Sequence, residues 1–338
     1  LTSTSYVELS TTVSDNACGG AGTENYSSYR ANALTSMEIG GTHYQMACFW
    51  DDDKYMNLSV RTLPNGSWTT YIYNGAGGFP TIQSPDDDHH DYISAAFDPD
   101  GYIHVCYAMH ADPLLYRRSD ASVDSWTGDL TNTLAMLGTN EGSVTYPTFF
   151  NDPIDGELNF MFRDGGSGNG DLFMYTYDEG TTTWAASTGT GAQGKLIDGK
   201  VTGESPYWNQ PKYDDDWDGL GTGYMHLTWN WRRTADQETN HDLQYMRWDG
   251  TSWTQDSGAA QTIPATTANA DTVVVLAEGS GLLDVNIMDV DSNGYPIITY
   301  TQTGADIINV AYYDGAAWNT VDGVWQSCSQ IMLVVRAS

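Results

Sequence analysis

Along most of the chain, short apolar runs alternate with turns rich in Asp and Gly, and polar and apolar positions follow the two-residue period of strands. No stretch of about 11 residues keeps a clean 3.6-residue apolar period, so strands rather than helices are expected. The pattern resolves into a recurring unit: an apolar strand, an Asp- and Gly-rich turn, a second strand, and a third that ends in an aromatic segment. One copy runs from Tyr92 to Trp126 and another from Tyr146 to Trp184. Further copies contain GYMHLTWNWRR and HDLQYMRWDGTSW, ending at Trp253, and VNIMDVDSNGYPIITYTQTGADIINVAYYDGAAW, ending at Trp318. A poorer one ends in VRTLPNGSW at Trp68.

The terminal tryptophans are 58, 58, 69 and 65 residues apart, too far for one hairpin and suited to a four-stranded propeller blade with loops. A ring at the end of each unit is expected to pack between neighbouring blades, where it covers apolar area that one blade cannot bury. The expectation is one all-β propeller domain over residues 1–338, with an irregular β-sandwich as the competing architecture. Five copies are visible. The termini and the segments 186–222 and 255–283 are candidates for more, so five, six or seven blades are open.

Composition agrees with strands: Gly, Tyr, Trp, Thr and Asp are abundant, while Lys plus Arg total only 13. The net charge of -31 repels nucleic acid phosphate and anionic lipid, which excludes both as expected partners. No run of about 18 apolar residues exists to span a membrane. The chain opens at LTSTSY without an initiator Met, which fits a mature secreted product or a trimmed chain; a secreted or periplasmic location and a monomer are expected. Cys18, Cys48, Cys106 and Cys328 lack metal-knuckle spacing and are read as at least one disulfide or as buried thiols. Asn25, Asn57 and Asn65 head N-x-S sequons.

Candidate chemistry follows from the repeat. His90 precedes the first strand of its unit and His110 follows the second, so both imidazoles are expected at the same end of one hairpin. In the next unit Tyr146 stands 56 residues after His90, and Arg163 stands 53 after His110. The four therefore occupy equivalent places in neighbouring units, around one funnel. Tyr207, His226 and Arg232 extend the pattern into the following unit, and Trp208, Trp229 and Trp231 offer flat faces suited to sugars. Arg117, Arg118, Arg163, Arg232 and Arg233 lie near these strand ends although cations are scarce, and a guanidinium fork matches a uronate carboxylate. Each residue has a plainer reading: turn or hydrogen-bonding roles for His90 and His110, packing for Tyr146, a structural histidine at His226 and at His104. DDDHHD (Asp86 to Asp91) and NHD (Asn240 to Asp242) contain metal-ligand types. Asp88, His241 and Asp242 are the candidate ligands of a structural calcium, or of zinc if His89 or Cys106 contributes, and no cofactor is required for the chemistry.

DDDHHDYISAAFDPDGYIHVCYAMHADPLLYRRS, VTYPTFFNDPIDGELNFMFRDGGSGNG, GYMHLTWNWRRT and NHDLQYMRW together resemble the BNR-4-type seven-bladed propellers that include ulvan lyases and related rhamnose-glucuronate polysaccharide lyases. The resemblance runs from Asp86 to Trp248 and implies a histidine and a tyrosine beside the scissile uronate, with a second histidine and an arginine close by. Matched motif to motif, these are His90, Tyr146, His110 and Arg163, with Tyr207 and His226 as weaker matches. It also implies seven blades, an anionic uronate polysaccharide as partner, and β-elimination leaving a 4,5-unsaturated uronate. On that basis Arg163 offsets the charge that develops on the uronate, with His226 or another donor. His90 serves as base and Tyr146 as acid, the reverse assignment or Tyr146 in both roles remaining open, and His110 orients the site. Two other readings compete: a sialidase-like hydrolase, which needs a pair of acids or an aspartate with a tyrosine nucleophile, and a propeller that only binds carbohydrate.

Overall fold

The computed structural model describes residues 34–85, 88, 90–153, 156–214, 223–302 and 307–326. In three places one turn design joins adjacent antiparallel strands. Asp51, Asp98 and Asp291 each donate their amide to the carbonyl of a tyrosine four residues on, Tyr55, Tyr102 and Tyr295. Each aspartate's Oδ1 accepts the amide of that same tyrosine at 2.8 to 2.9 Å. The left-handed position inside the turn is Gly101 or Gly294 in two copies and Lys54 in the third. The Asp-rich punctuation of the sequence is therefore structural, because the carboxylate closes the hairpin.

These hairpins build five antiparallel sheets in chain order. The first holds Leu34–Ile39, Thr42–Trp50, Met56–Thr62 and Thr69–Ile72. The second holds Ile93–Phe97, Tyr102–Tyr107 and Tyr116–Ser122. The third is made of Val144–Asn151, Leu158–Gly166, Asn169–Asp178 and Thr183–Ala186, the fourth of Ser205–Trp208, Met225–Arg232, Asn240–Trp248 and Trp253–Thr254. The fifth comprises Leu282–Val290, Pro296–Gln302, Ile307–Tyr313 and Trp318–Gln326.

Four buried clusters fill the four gaps between consecutive sheets, which is the packing logic of a propeller. Trp50, Leu58, Phe97 and Val105 lie between the first and second sheets. Cys106, Tyr116, Phe149, Phe160 and Trp184 lie between the second and third. Met161, Leu172, Trp229 and Trp231 bridge the third and fourth, and Tyr245, Leu282 and Ile298 the fourth and fifth. The expected inter-sheet role holds for four of the repeat tryptophans, with Trp253 a member of the cluster between the third and fourth sheets. Trp126 packs on Tyr71 at 4.6 Å, Trp184 on Tyr116 at 6.0 Å, and Trp318 on Tyr245 at 5.4 Å, each partner lying in the preceding sheet. Trp253 also packs, tilted, against Trp248 of its own sheet, and Trp68 sits under Arg61.

The described residues build five sheets, a count that suits a propeller of five or six blades and stops short of the seven that the resemblance implies. Segments 186–222 and 255–283 form no further sheet among the described residues. They add edge strands instead: Lys195–Asp198 pairs with the third strand of the third sheet, and Asp271–Val274 with the third strand of the fourth. Cys48 and Cys106 are buried, while Cys18 and Cys328 lie outside the described residues. Asn57 is buried with its amide donating to Asp51, which removes it as a glycan acceptor; Asn65 is exposed and Asn25 lies outside the described residues. No helix is long and apolar enough to cross a membrane among the described residues.

Candidate active site

His110–Asp112 leaves the second sheet and pairs on Val144–Asn151, the first strand of the third, with His110 opposite Thr145. The chain makes this crossing through left-handed residues at Ala108 and Ala111, and the Ala111 amide donates to Thr145 Oγ1 at 2.7 Å. The crossing carries His110 against His90, where the two rings stack with centroids 3.9 Å apart. Asp88 sits beneath both. Its Oδ1 accepts from the His90 amide and from His90 Nδ1, and its Oδ2 accepts from His110 Nδ1 at 2.6 Å. Burial opposes ionisation of Asp88, but the His90 amide and ring and the His110 ring outweigh it and hold its carboxyl well below the usual range. An anionic Asp88 can only accept, so it fixes the proton on Nδ1 of each ring.

Tyr146 lies next, its ring 5.6 Å from that of His90. It occupies a β-bulge: the register between Val144–Asn151 and Leu158–Gly166 slips between Met161 and Arg163, and Tyr146 itself has φ 60°. A left-handed bulky residue is strained, and such strain is tolerated where the surrounding sheet imposes it. The bulge re-aims the ring away from the regular alternation. Arg163, opposite Thr145, brings its guanidinium carbon to 4.8 Å from the Tyr146 ring and 5.3 Å from the Tyr207 ring. Its Nε donates to the Gly165 carbonyl, while Nη1 is buried with no hydrogen-bond partner among the described residues. The stem reaches this place over Gly170, where a Cβ would lie 2.8 Å from Arg163 Cδ.

Tyr207 comes from the first strand of the fourth sheet, with its hydroxyl 2.5 Å from Ser167 Oγ. Arg232 flanks its other side at 5.0 Å. Burial pushes the Tyr207 phenol up, yet Arg163 and Arg232, helped by Ser167 and opposed by Asp284, bring it below the usual tyrosine value. The neighbouring cations are already paired: Arg232 with Asp284 at 3.1 Å, Arg233 with Glu204 and Glu278, Lys200 with Asp164 at 2.5 Å. Arg163 has no carboxylate partner among the described residues.

The geometry corrects several expectations drawn from the sequence. His226, Trp208 and Trp229 are wholly buried and present no surface to a sugar. His226 faces the interior of its sheet, 2.7 Å from the Tyr245 hydroxyl, and burial with Arg247 pushes its pKa down to about 3. His226 lies in Met225–Arg232, a strand buried along nearly its whole length, just as His104 is buried in its own strand, where it bonds Asp98 and Tyr116. The metal grouping of Asp88 with His241 and Asp242 is also corrected. His241 pairs with Glu204 and Asp242 elsewhere, and the donor set that converges is Asp88, His90 and His110, whose candidate ligand atoms all lie within 4.8 Å of one another. Two imidazoles and one carboxylate suit zinc better than calcium, which prefers oxygen. His89 lies outside the described residues. Three contributors escaped the sequence reading: Asp88 as the orienter of both histidines, Ser167 and Gly170. The Asp-x-His spacing of Asp88 and His90 was the available signal for the first.

The whole arrangement offers one buried cation between two phenols, beside a carboxylate-held pair of imidazoles. Known proteins place the fold. The polysaccharide lyase Uly1 has the same fold with a TM-score of 0.66 at 17% identity, covering 94% of this chain and 76% of that one. A PL25 ulvan lyase solved bound to -[GlcA(1-4)Rha3S]- gives 0.58 at 14% identity, covering 88% and 72%. No curated protein matches the sequence. The sequence pattern of the BNR repeat-containing family runs through residues 44–330, and the chain belongs to that family.

Proposed function

We propose that this protein is a polysaccharide lyase that cuts uronate-containing polymers by β-elimination, with a rhamnose-glucuronate polymer such as ulvan as its substrate. The observation that carries the reading is the placement of Arg163, a buried guanidinium with no carboxylate partner among the described residues, against Tyr146 and Tyr207 and next to the His90–His110 pair. A uronate carboxylate supplies what Arg163 lacks, and its planar fork suits that ligand.

The hard step is removing the C5 proton, because the enediolate that forms adds charge beside an existing carboxylate. Arg163 offsets that charge from a buried, fixed position, and preorganised donors of this kind contribute several kcal/mol. His90, with its Nδ1 proton held by Asp88, accepts the C5 proton at Nε2. Tyr146 protonates the departing oxygen at C4. His110 keeps the His90 ring in place by stacking, and Tyr207, anchored on Ser167, holds the sugar acid from the other side. The likeness in fold to two polysaccharide lyases, one of them bound to a glucuronate-rhamnose unit, supports the same substrate class. A polymer too large to cross a membrane also favours a secreted or periplasmic site of action.

The hydrolase alternative requires a free acid pair. Asp164, Glu204 and Asp284, beside the arginine cluster, are each tied to a cation.

The deciding experiment incubates the protein with a panel of uronate polymers, following both reducing ends and the ultraviolet absorbance of unsaturated uronate. A lyase raises the two together. Reducing ends without absorbance mean hydrolysis and overturn the proposal, as does full lyase activity in both Arg163→Ala and Tyr146→Phe.

A further inference from the structure

We infer that Asp88, His90 and His110 form a binding site for a late first-row divalent metal ion such as Zn²⁺, and that filling it shuts down proton transfer at His90. The binding half stands on geometry alone; the shut-down half rests on the lyase reading above.

Three features point to a metal. The ligand atoms of the three residues lie within 4.8 Å of one another, close enough for one ion to gather them with small side-chain movements. Both imidazoles turn the same nitrogen, Nδ1, toward the same carboxylate, and the stacked rings differ in plane by only 18°. The set is also reachable, since the side chains of His90, His110 and Asp88 are 20%, 39% and 29% exposed. A set of two nitrogens and one carboxylate with open positions is the pattern that zinc, cobalt and iron(II) accept, and magnesium does not favour it. The net charge of -31 concentrates cations around the protein.

The consequence follows from imidazole tautomers. Without metal, Asp88 accepts the Nδ1 protons, so the lone pair of each ring resides on Nε2. A metal at the carboxylate needs the Nδ1 lone pairs instead, and each ring must then carry its proton on Nε2. Nε2 of His90 changes from proton acceptor to proton donor. It can no longer take the C5 proton, although substrate still meets Arg163 and Tyr207. The ion therefore inhibits turnover without needing to displace the sugar.

Cobalt titration of the full metal-free chain tests the site directly. One equivalent of Co²⁺ giving a visible ligand-field band in the wild type, lost in His110→Gln and in Asp88→Asn but kept in His43→Gln, an exposed histidine on the second strand of the first sheet, supports it. Melting curves of the variants separate a lost ligand from a lost fold. No band in the wild type, or a band untouched by both ligand substitutions, overturns the site. In parallel, one equivalent of Zn²⁺ should abolish uronate elimination by the wild type, with recovery on chelation. Saturating metal with undiminished turnover overturns the tautomer argument. A metal-free protein inactive on every uronate polymer would instead bring down the lyase reading, and the cobalt titration would still decide the site.

Discussion

Arg163 lies with its guanidinium 4.8 Å over the ring of Tyr146, and one of its amino groups is buried with no hydrogen-bond partner among the described residues. A buried donor on a charged group left unmade costs about 1–3 kcal/mol or more, and the ring face recovers only part of that through cation–π attraction. The sheet holds this cost in place by packing Arg163 between Gly170 and two tyrosines. An arginine kept in that state is one prepared for an anion.

Arg163→Ala is therefore expected to lower kcat for elimination by a factor of roughly 100 to 1000, the usual effect of removing a donor from developing charge. Arg163→Lys should recover little of it, since an ammonium cannot present two parallel donors. Steady-state kinetics on a uronate polymer, with circular dichroism to show an intact fold, provide the check. A change confined to KM would assign Arg163 to uniform binding rather than to the transition state.

Tyr146→Phe keeps the ring over which Arg163 sits and removes only the phenolic proton. Turnover should fall by roughly 100-fold or more while the melting temperature changes by no more than a few degrees. Near-wild-type turnover in this variant would remove Tyr146 from proton transfer and leave it as packing under Arg163.

Gly170→Ala probes the arginine from a distance. A Cβ there would stand 2.8 Å from Arg163 Cδ and 3.0 Å from Ser205 Cβ, so the stem must shift. Displacing a positioned group by about 1 Å can cost up to two orders of magnitude in rate. The expected result is a drop in kcat of roughly tenfold or more with folding retained, read from kinetics and a thermal melt of the same sample. Unchanged kinetics would mean that the strand backbone at Gly170 yields instead of the arginine.

Much of this site was legible from repeat counting, because equivalent positions in successive sheets converge in space. His90, His110, Tyr146 and Arg163 were brought to one place by their spacing alone. Direction within a strand was not legible. His226 and Trp229 belong to a strand whose residues are nearly all buried, so alternation could not separate a cleft-facing row from a core-facing one. Nor could spacing reveal that His110 crosses to the third sheet, since a three-residue strand with two left-handed alanines beside it leaves no apolar pattern. The count of sheets was masked for a related reason: short edge strands such as Lys195–Asp198 look like parts of a further repeat until their pairing partner is known.

A last expectation concerns stability on the far side of the fourth sheet. Asp271 sits half-buried beside Asp256, whose amide donates to Asp271 Oδ2 at 3.0 Å. Burial, opposed by the Asp256 amide but reinforced by the Asp256 charge and a bond between the two carboxyls, raises the Asp271 pKa from 3.8 to about 6. The folded chain thus holds a proton on Asp271 between about pH 4 and pH 6, where the unfolded chain has released it. Stability from this group is fully present below the unfolded value and is lost as pH rises through the folded one. Asp271→Asn keeps the acceptor for the Asp256 amide and deletes the titration. The variant should match the wild type near pH 3.5 and melt a few degrees higher near pH 7.5, the gap opening across the window between. Paired melting curves over that range provide the measurement, and a gap of constant size at every pH would show that the two carboxyls do not share a proton in the folded state.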